Sequence, residues 1–209
     1  MATCRGQYRG KVLVVETKFA RLARKIPLTT LQQAFVVGSV LGDATLMPTT
    51  AGACFRVHHG REQHEYVDWK HTMLASYVRT KPRECQNGYY FRTITHPEFS
   101  KLRELFYPES RKIVPVEVLN AHFTTMSLAV WIMDDGSPEG GQLRPNTQSF
   151  SIDEVGALGC LLRAKFGLDA RINIDKGRPR LRFVAASMDR LVAIVKPYIV
   201  PTMLYKLPL

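Results

Sequence analysis

The chain has 209 residues, 45% of them hydrophobic and 10% aromatic, which is enough to bury a sizeable core and excludes a mostly disordered protein. It carries 29 Lys and Arg against 18 Asp and Glu, a net charge of +11, and it contains no apolar run long enough to cross a membrane. This charge favours a polyanionic partner, nucleic acid first, with a basic protein that has no such partner as the alternative.

Residues 1–28 form a predicted basic N-terminal arm. Seven Lys and Arg stand against Glu16 alone in the first 25 residues, and the apolar run at 12–15 is too short for a secretory signal. We expect either a first helix or arm along a phosphate backbone, or a solvated terminus.

The four cysteines are scattered and include no CxxC pair, so we expect reduced thiols and no secretion. An organelle and a microbial cytoplasm both fit.

Two apolar helices that end in acidic turns come next in the predicted order. They span residues 31–43 (LQQAFVVGSVLGD) and 126–135 (MSLAVWIMDD). A small residue follows the last acid of each helix, Asp43 in the first and Asp135 in the second. This self-similarity predicts that the chain contains two copies of one unit.

The first of these helices carries two glycines one turn apart, Gly38 and Gly42. They favour close approach of another helix over the alternative, a weakly formed helix end. The corresponding positions of the second helix are Val130 and Asp134, so we expect packing that is not strictly symmetric.

The same order of elements follows each acidic helix end. In the first copy we predict a strand, a helix, a strand and a helix at residues 54–58, 62–78, 89–95 and 97–106. In the second copy the corresponding elements are predicted at residues 147–151, 152–166, 180–185 and 188–195. A hairpin with Asp175-Lys176-Gly177 near its turn precedes the last strand.

A lysine closes each copy at a matched distance from its acid. Lys112 comes 69 residues after Asp43, and Lys206 comes 71 residues after Asp135. Either lysine alone is typical of a surface position, but the matched offsets favour a shared site. We therefore divide the chain into the arm (1–28), a first half (29–110), a linker (111–122) and a second half (123–209).

The repeated residue types suit metal-dependent hydrolysis of a phosphodiester bond. Carboxylates can hold Mg²⁺ beside a phosphate, and Asp43 and Asp135 emerge together if the two helices pack side by side. Like charges that close favour a bound cation. Lys112 and Lys206 would stabilise negative charge or order a water molecule.

Three histidines that are close together in the sequence lack the spacing of a zinc site and are expected at the surface or along a groove: His58, His59 and His64.

The predicted strands alternate between basic and apolar residues, so each sheet should have one basic face. The residues that we expect to contact DNA from this face are Arg56, His58 and Arg92 in the first copy and Arg171, Asn173, Arg178, Arg180 and Arg182 in the second. Their apolar alternates are Phe55, Val57, Ile172, Ile174, Leu181 and Phe183. Arginine suits guanine and asparagine suits adenine, whereas a merely solvated sheet face is the alternative interpretation.

Both acidic helices resemble the signature motifs of a known family. Residues 36–44 (VVGSVLGDA) and 128–136 (LAVWIMDDG) are similar to the two motifs of single-chain LAGLIDADG proteins. The similarity is strong over residues 112–209 and looser over 31–107. It includes the segment 146–150 (NTQSF), in which we add Gln148 to the predicted DNA contacts.

The resemblance implies an α+β fold of two pseudo-symmetric αββαββα halves, whose sheets form a saddle over DNA. It implies metal ligands from the two motifs: the side chains of Asp43 and Asp135, beside the backbone carbonyls of Gly42 and Asp134. It also implies that Lys112 and Lys206 are the active-site lysines. Mg²⁺ is the expected cofactor, with Mn²⁺ or Ca²⁺ able to substitute for binding.

The implied activity is that of a monomeric homing endonuclease that cuts both strands of a long DNA duplex. We expect a staggered break with short 3′ overhangs, which promotes insertion of the host intron. Two alternatives stay open, a maturase that binds intron RNA without cutting DNA and a degenerate DNA-binding module. The presence of both acids and both lysines favours the nuclease, because RNA binding needs none of them.

Overall fold

The computed structural model describes residues 17–208, which begin with two helices, α1 (Lys18–Ala23) and α2 (Thr30–Leu41). A capping box starts α2: the Thr29 hydroxyl accepts from the Gln32 amide, and the Gln32 side chain accepts from the Thr29 amide. The predicted arm lies largely on residues 1–16, outside the described residues. Its described part contains α1.

The first half continues with four strands and two further helices. These are β1 (Thr45–Thr49), β2 (Gly52–His59), α3 (His64–Met73), β3 (Arg83–Cys85), β4 (Gly88–Arg92) and α4 (Pro97–Phe106). The strands form one antiparallel sheet in the order β1-β2-β4-β3. Phe55 and Val57 are buried on the face of β2 that packs against α3 and α4.

The second half repeats this order after a connecting helix, α5 (Val116–His122). Its elements are α6 (Thr125–Asp135), β5 (Gly136–Glu139), β6 (Gln142–Pro145), α7 (Ile152–Phe166), β7 (Ala170–Asp175), β8 (Arg178–Phe183) and α8 (Met188–Val195). The antiparallel pairs β5-β6 and β7-β8 form two small sheets, and β6 lies beside β8. The order helix, two strands, helix, two strands, helix occurs twice, which confirms the predicted αββαββα halves.

The second half contains two hairpins with glycine turns, of which the sequence predicted one. Lys176 and Gly177 have φ of 49° and 78°, and they form the predicted turn between β7 and β8. Gly140 and Gly141 also have positive φ and make a second hairpin, β5-β6, that the apolar pattern did not predict. In the first half the short strand β1 was missed in the same way.

The strand predicted at residues 147–151 is wrong. Because the β5-β6 hairpin is complete at Pro145, this segment is irregular. The buried Thr147 hydroxyl accepts a hydrogen bond from the Leu181 amide at 2.9 Å, and Ser151 then caps α7. Two hydrogen bonds between the Thr147 side chain and β8 therefore replace a ladder of backbone bonds.

Residues 111–122, predicted as a linker, contain α5. Val118 and Leu119 are buried on this helix, which packs against α2 and α7. The segment therefore contributes to the core, while the division of the chain at these bounds stays a prediction.

One apolar core runs through both halves, with α2 and α6 at its centre. Residues Ala34 to Leu41 of α2 and Met126 to Asp134 of α6 are all buried, as expected for helices that are apolar on every side. Among the described residues, no helix has both the length and the apolar character that a membrane crossing needs. The cysteines of the described residues are free thiols, as predicted: Cys54, Cys85 and Cys160.

Candidate active site and nucleic-acid interface

Glycines allow α2 and α6 to approach each other closely. A Cβ atom on Gly38 would overlap the backbone of Ser127, and one on Gly42 would lie 2.5 Å from Cβ of Asp134. The Ser127 hydroxyl also donates a hydrogen bond of 2.7 Å to the carbonyl of Ala34. The predicted close packing is confirmed, and the contact between glycine and Asp134 makes it asymmetric, as the sequence indicated.

These contacts bring together the ends of the two helices that carry the acids. Since Gly38 meets Ser127 and Gly42 meets Asp134, the helices run in the same general direction and their C-terminal ends meet. Asp43 follows Gly42, and its side chain is 46% exposed. Asp135 is the last residue of α6 and is half-buried.

Each predicted lysine contacts the carbonyl group just before the acid with which its spacing is matched. Lys112 Nζ donates to the Gly42 carbonyl oxygen at 2.6 Å. Lys206 Nζ donates to the Asp134 carbonyl oxygen at 3.3 Å. Two equivalent contacts, one from each half, therefore flank the meeting point of the helices.

Burial and neighbouring charge shift the pKa values at this point. Burial raises the pKa of Asp135 to about 7, and the negative charge of Asp43 adds to the effect. Burial, followed by the charge of Asp134, also raises the pKa of Asp43. Burial lowers the pKa of Lys112, although Asp135 opposes this shift. The site therefore disfavours two ionised acids unless a cation is present.

A buried polar network that the sequence did not predict lies beneath the acids. The carboxylate of Asp134 accepts from Lys70 Nζ at 2.6 and 2.9 Å and from the Tyr66 hydroxyl at 2.8 Å. It also accepts from the backbone amide of Asp43 at 3.3 Å. The spacing of Tyr66 and Lys70, four residues apart on α3, was the available signal, because it places both on one face of a helix.

His59 is buried between two acids, whereas we expected it at the surface or along a groove. Its Nδ1 lies 3.7 Å from a carboxylate oxygen of Asp43, and its Nε2 lies 3.7 Å from one of Asp134. Burial, reinforced by the charge of Lys70, lowers the pKa of His59 to about 4. The ring is therefore neutral at physiological pH, and among the described residues Nε2 has no hydrogen-bond partner.

Three side chains at this point offer possible metal ligands within 4.8 Å of one another: Asp43, His59 and Asp134. The carboxylate of Asp134 is already paired with Lys70, whose ammonium group would repel a second cation. Of the three, Asp43 and His59 therefore have the more available donor atoms. Asp135, at the end of the adjacent helix, adds a second carboxylate to the same region.

The first sheet places its predicted basic residues together on the exposed face. Arg56 lies directly opposite Arg92, and His58 lies opposite Tyr90. The guanidinium group of Arg56 lies 5.6 Å from the centre of the Tyr90 ring, and that of Arg83 lies 5.1 Å from it. A cleft of about 730 Å³ beside α1 extends this basic surface, and its described lining residues include no acid.

The β7-β8 sheet also gathers its predicted polar residues, but some of them bind each other. Arg171 pairs with Arg182, Asn173 with Arg180 and Asp175 with Arg178 across the β7-β8 hairpin. Gln148 Nε2 donates to the Asp175 carboxylate at 3.2 Å, and Arg180 donates to the same carboxylate at 3.4 Å and to Asn146 at 2.9 Å.

The apolar alternates of this hairpin behave differently on its two strands. Leu181 and Phe183 are buried, as the alternation predicted. Ile172 and Ile174 are 38% and 64% exposed, because β7 is an edge strand that the core covers incompletely. The β7-β8 sheet therefore separates a polar face from a buried apolar face less completely than the four-stranded sheet does.

The model of the LAGLIDADG DNA endonuclease family matches residues 33–191, about three quarters of the chain. The chain belongs to this family. The matched residues include α2 from residue 33 onward, all of α6 and the eight strands of the described part of the chain. The resemblance of the two motifs is thereby confirmed.

Relatives of the LAGLIDADG chain include intron-encoded and longer proteins. A probable intron-encoded DNA endonuclease from Mycosarcoma maydis is 36% identical over 127 residues, which cover 58% of this chain and 93% of that protein. The cytochrome b mRNA maturase bI2 of Debaryomyces hansenii is 29% identical over 197 residues, 87% of this chain and 75% of the relative. The protein RecA from Mycolicibacterium chitae is 31% identical over 191 residues, and the chain spans 45% of its length.

Solved structures confirm the fold class. The homing endonuclease I-WcaI, bound to its DNA recognition sequence, has a TM-score of 0.84 and 25% identity, and the match covers 94% of this chain and 95% of that one. A variant of the homing endonuclease I-DmoI has a TM-score of 0.51 at 12% identity, which supports the fold alone.

Proposed function

We propose that this chain is a site-specific homing endonuclease that binds a long double-stranded DNA target and hydrolyses one phosphodiester bond in each strand. The observation that carries the proposal is the paired arrangement at the ends of α2 and α6, where each helix end brings one acid together with one lysine. Family membership and the likeness to DNA-bound I-WcaI support duplex DNA as the substrate. Because one chain supplies both acids, a monomer suffices for a double-strand break.

Mg²⁺ is the proposed cofactor, with Mn²⁺ or Ca²⁺ able to substitute for binding. The donors fit Mg²⁺, because the carboxylates of Asp43 and Asp135 and the carbonyls of Gly42 and Asp134 are oxygen ligands. The two carbonyls would become available to the cation once Lys112 and Lys206 turn from them to the phosphate. A bound cation would also offset the two effects that raise the pKa of Asp135, burial first and then the negative charge of Asp43. When bound, it would supply charge stabilisation at the phosphate and a water molecule of lowered pKa.

The lysines have the proposed role of acting on the phosphate and on the attacking water. Each ammonium group lies beside a backbone carbonyl of the acidic turn, so Lys112 and Lys206 would both lie near the scissile bonds. There they would stabilise developing negative charge and help to orient water. The lowered pKa of Lys112 makes its neutral amine, which can accept a proton, easier to form than that of a solvated lysine.

The basic sheet faces are proposed to hold the duplex on both sides of this site. The proposed contacts in the first half are Arg56, His58 and Arg92, all exposed. Those in the second half are Gln148, Arg171, Asn173, Arg178, Arg180 and Arg182. Since Gln148 and Arg180 already bind Asp175, they would read bases only after exchanging those partners.

A cleavage assay with a selected duplex tests this function. Duplexes that bind the protein in Ca²⁺ would be selected from a randomised library, together with the intronless allele of the host gene, and incubated with Mg²⁺ or with EDTA. We expect a staggered break with short 3′ overhangs in Mg²⁺ and intact DNA in EDTA. Tight binding with no cleavage in Mg²⁺ would contradict the nuclease and favour a DNA-binding module.

A second candidate function is the binding of intron RNA, as a maturase does. The similarity to the maturase bI2 of Debaryomyces hansenii over 87% of this chain supports it. The test is competition between the host intron RNA and the selected duplex for the protein. An RNA affinity that survives Asp43→Asn and Asp135→Asn, with acceleration of splicing, would establish this activity.

A further inference from the structure

The carboxylate of Asp134 is a buried anion whose partners come from the other half of the molecule. Lys70 Nζ lies 2.6 Å from one of its oxygens, and both side chains are 0% exposed. The Tyr66 hydroxyl donates to the same oxygen at 2.8 Å. Lys70 and Tyr66 lie on α3 in the first half, whereas Asp134 lies on α6 in the second. The ion pair therefore joins the halves directly beneath the candidate active site.

The other oxygen of this carboxylate reaches one of the acids through its backbone. It accepts a hydrogen bond of 3.3 Å from the amide of Asp43. A chain of polar contacts thus runs from the ammonium group of Lys70 through Asp134 to Asp43. The Asp43 side chain is 46% exposed, so its position depends strongly on how its backbone is held.

The arrangement occurs on one side of the pseudo-dyad only. The residue before Asp43 is Gly42, which has no side chain, and it packs against Cβ of Asp134. No corresponding carboxylate from the first half can therefore reach the amide of Asp135. Of the two acids, Asp43 is the one that this cross-half contact holds.

We propose that Lys70 and Asp134 form a positioning pair that fixes Asp43 against the second half and thereby controls cleavage of one DNA strand more than the other. This rests on the proposed function, in which Asp43 holds the cation. Within the pair, the Asp134 oxygen holds the Asp43 amide, and Lys70 compensates the charge of the buried carboxylate. A buried ion pair is not required for stability alone, because apolar side chains of similar volume can replace it.

Two double variants separate positioning from charge and from packing. Lys70→Met/Asp134→Leu and Lys70→Met/Asp134→Asn both lack the ion pair, but only the asparagine keeps an oxygen that can accept from the Asp43 amide. Val67→Ala, at a buried position on the same helix, is the packing control. Each strand of the selected duplex carries its own label, and single-turnover rate constants are measured with saturating protein in Mg²⁺. The ratio of the two rate constants is independent of the folded fraction.

We expect the leucine double variant to change the strand ratio by about 10-fold or more, since small displacements of a reacting group cost up to about 10²-fold in rate. The asparagine double variant should return the ratio to within about 3-fold of the wild-type value, and Val67→Ala should leave it unchanged. Equal slowing of both strands in the leucine variant, or the same ratio in both double variants, would overturn the proposal.

Hydrogen exchange of the Asp43 amide in the metal-free protein provides a readout that does not need cleavage. We expect its protection to be lost in the leucine double variant and retained in the asparagine double variant. Protection that is equal in both would overturn the positioning pair. If the wild-type protein cleaves no selected duplex, the proposed nuclease fails, and the exchange measurement still decides whether Asp134 holds Asp43.

Discussion

Lys112 places its ammonium nitrogen 2.6 Å from the carbonyl oxygen of Gly42, the residue just before the first acid. Lys206 makes the corresponding contact with Asp134 at 3.3 Å. The two lysines therefore occupy equivalent positions in the two halves, although they lie far apart in the chain. This equivalence gives the matched spacing between acids and lysines a physical meaning.

Replacing Lys112 with methionine should slow cleavage by about 10²- to 10³-fold, the effect of removing one donor to developing charge. Affinity for the duplex should change by less than about 3-fold, because most phosphate contacts would remain. Single-turnover cleavage and equilibrium binding, measured separately, check this. Lys101→Met, at an exposed position on α4, is the control. A loss of affinity with an unchanged cleavage rate would assign Lys112 to binding instead.

Sequence periodicity predicted the regular helices well. The bounds of α4, α7 and α8 agree with the predicted ranges 97–106, 152–166 and 188–195. Amphipathic periodicity and clear capping residues, such as Ser151 before α7, determine these helices locally. The acids and lysines were found because duplication repeats them at nearly equal offsets.

Features that depend on contacts between the halves could not be predicted in this way. Lys70 reads as a solvated helical lysine, and His59 as a groove residue, until α3 packs against the second half. The β5-β6 hairpin was missed because its turn, Gly140-Gly141, joins strands of only four residues each. The tertiary environment determines the positions of Lys70 and His59, whereas the hairpin rests on a local glycine turn.

Gly38→Ala should destabilise the protein, because the added Cβ would overlap the backbone of Ser127. Overpacking of this kind costs about 1–3 kcal/mol of unfolding free energy. Gly156→Ala in α7 is the matched control, since its Cβ would meet nothing nearer than Ile172 Cδ1 at 4.0 Å. That change should be neutral or stabilise by about 0.5–1 kcal/mol, because alanine favours helix more than glycine does. Urea denaturation measures both, and equal effects would argue against close helix packing.

The contribution of Asp135 to the stability of the metal-free protein should fall as pH rises from about 4 to about 7, whereas the lowered pKa of His59 acts in the opposite direction. Folding raises the pKa of Asp135 from 3.8 to about 7, so the folded state binds the proton more tightly than the unfolded state in this window. The favourable contribution is complete below the unfolded pKa and is lost as pH rises through the folded one. Thermal unfolding in EDTA at a series of pH values measures this.

Asp135→Asn provides the comparison for this pH dependence, because it removes the titrating group. At pH 8 in EDTA its Tm should exceed that of the wild-type protein by at least about 3 °C, the change that ~1 kcal/mol produces in a domain of this size. At pH 4 the difference should vanish. Added Mg²⁺ should raise the Tm of the wild-type protein only. Parallel pH profiles for the two proteins would show that Asp135 is not in a charged cluster.

DNA binding should depend steeply on salt, because phosphate contacts release counterions. With about 6 to 10 such contacts, affinity should fall roughly 10³- to 10⁵-fold between 50 and 200 mM salt. Arg56→Ala and Arg92→Ala, on the exposed face of the first sheet, should each cost about 1–3 kcal/mol if they contact bases. Arg163→Ala, on α7 in an exposed ion pair with Asp169, should change affinity little. Equal losses for all three would contradict a specific sheet interface.

The most direct test of the shared site is cleavage by Asp43→Asn and Asp135→Asn, measured on each strand of a selected duplex in Mg²⁺. If the two helix ends form one metal-dependent centre, each variant should fail to make the double-strand break while binding the duplex in EDTA with nearly wild-type affinity. A variant that cuts both strands at the wild-type rate would contradict the proposed role of that acid and, with it, the two-helix active site.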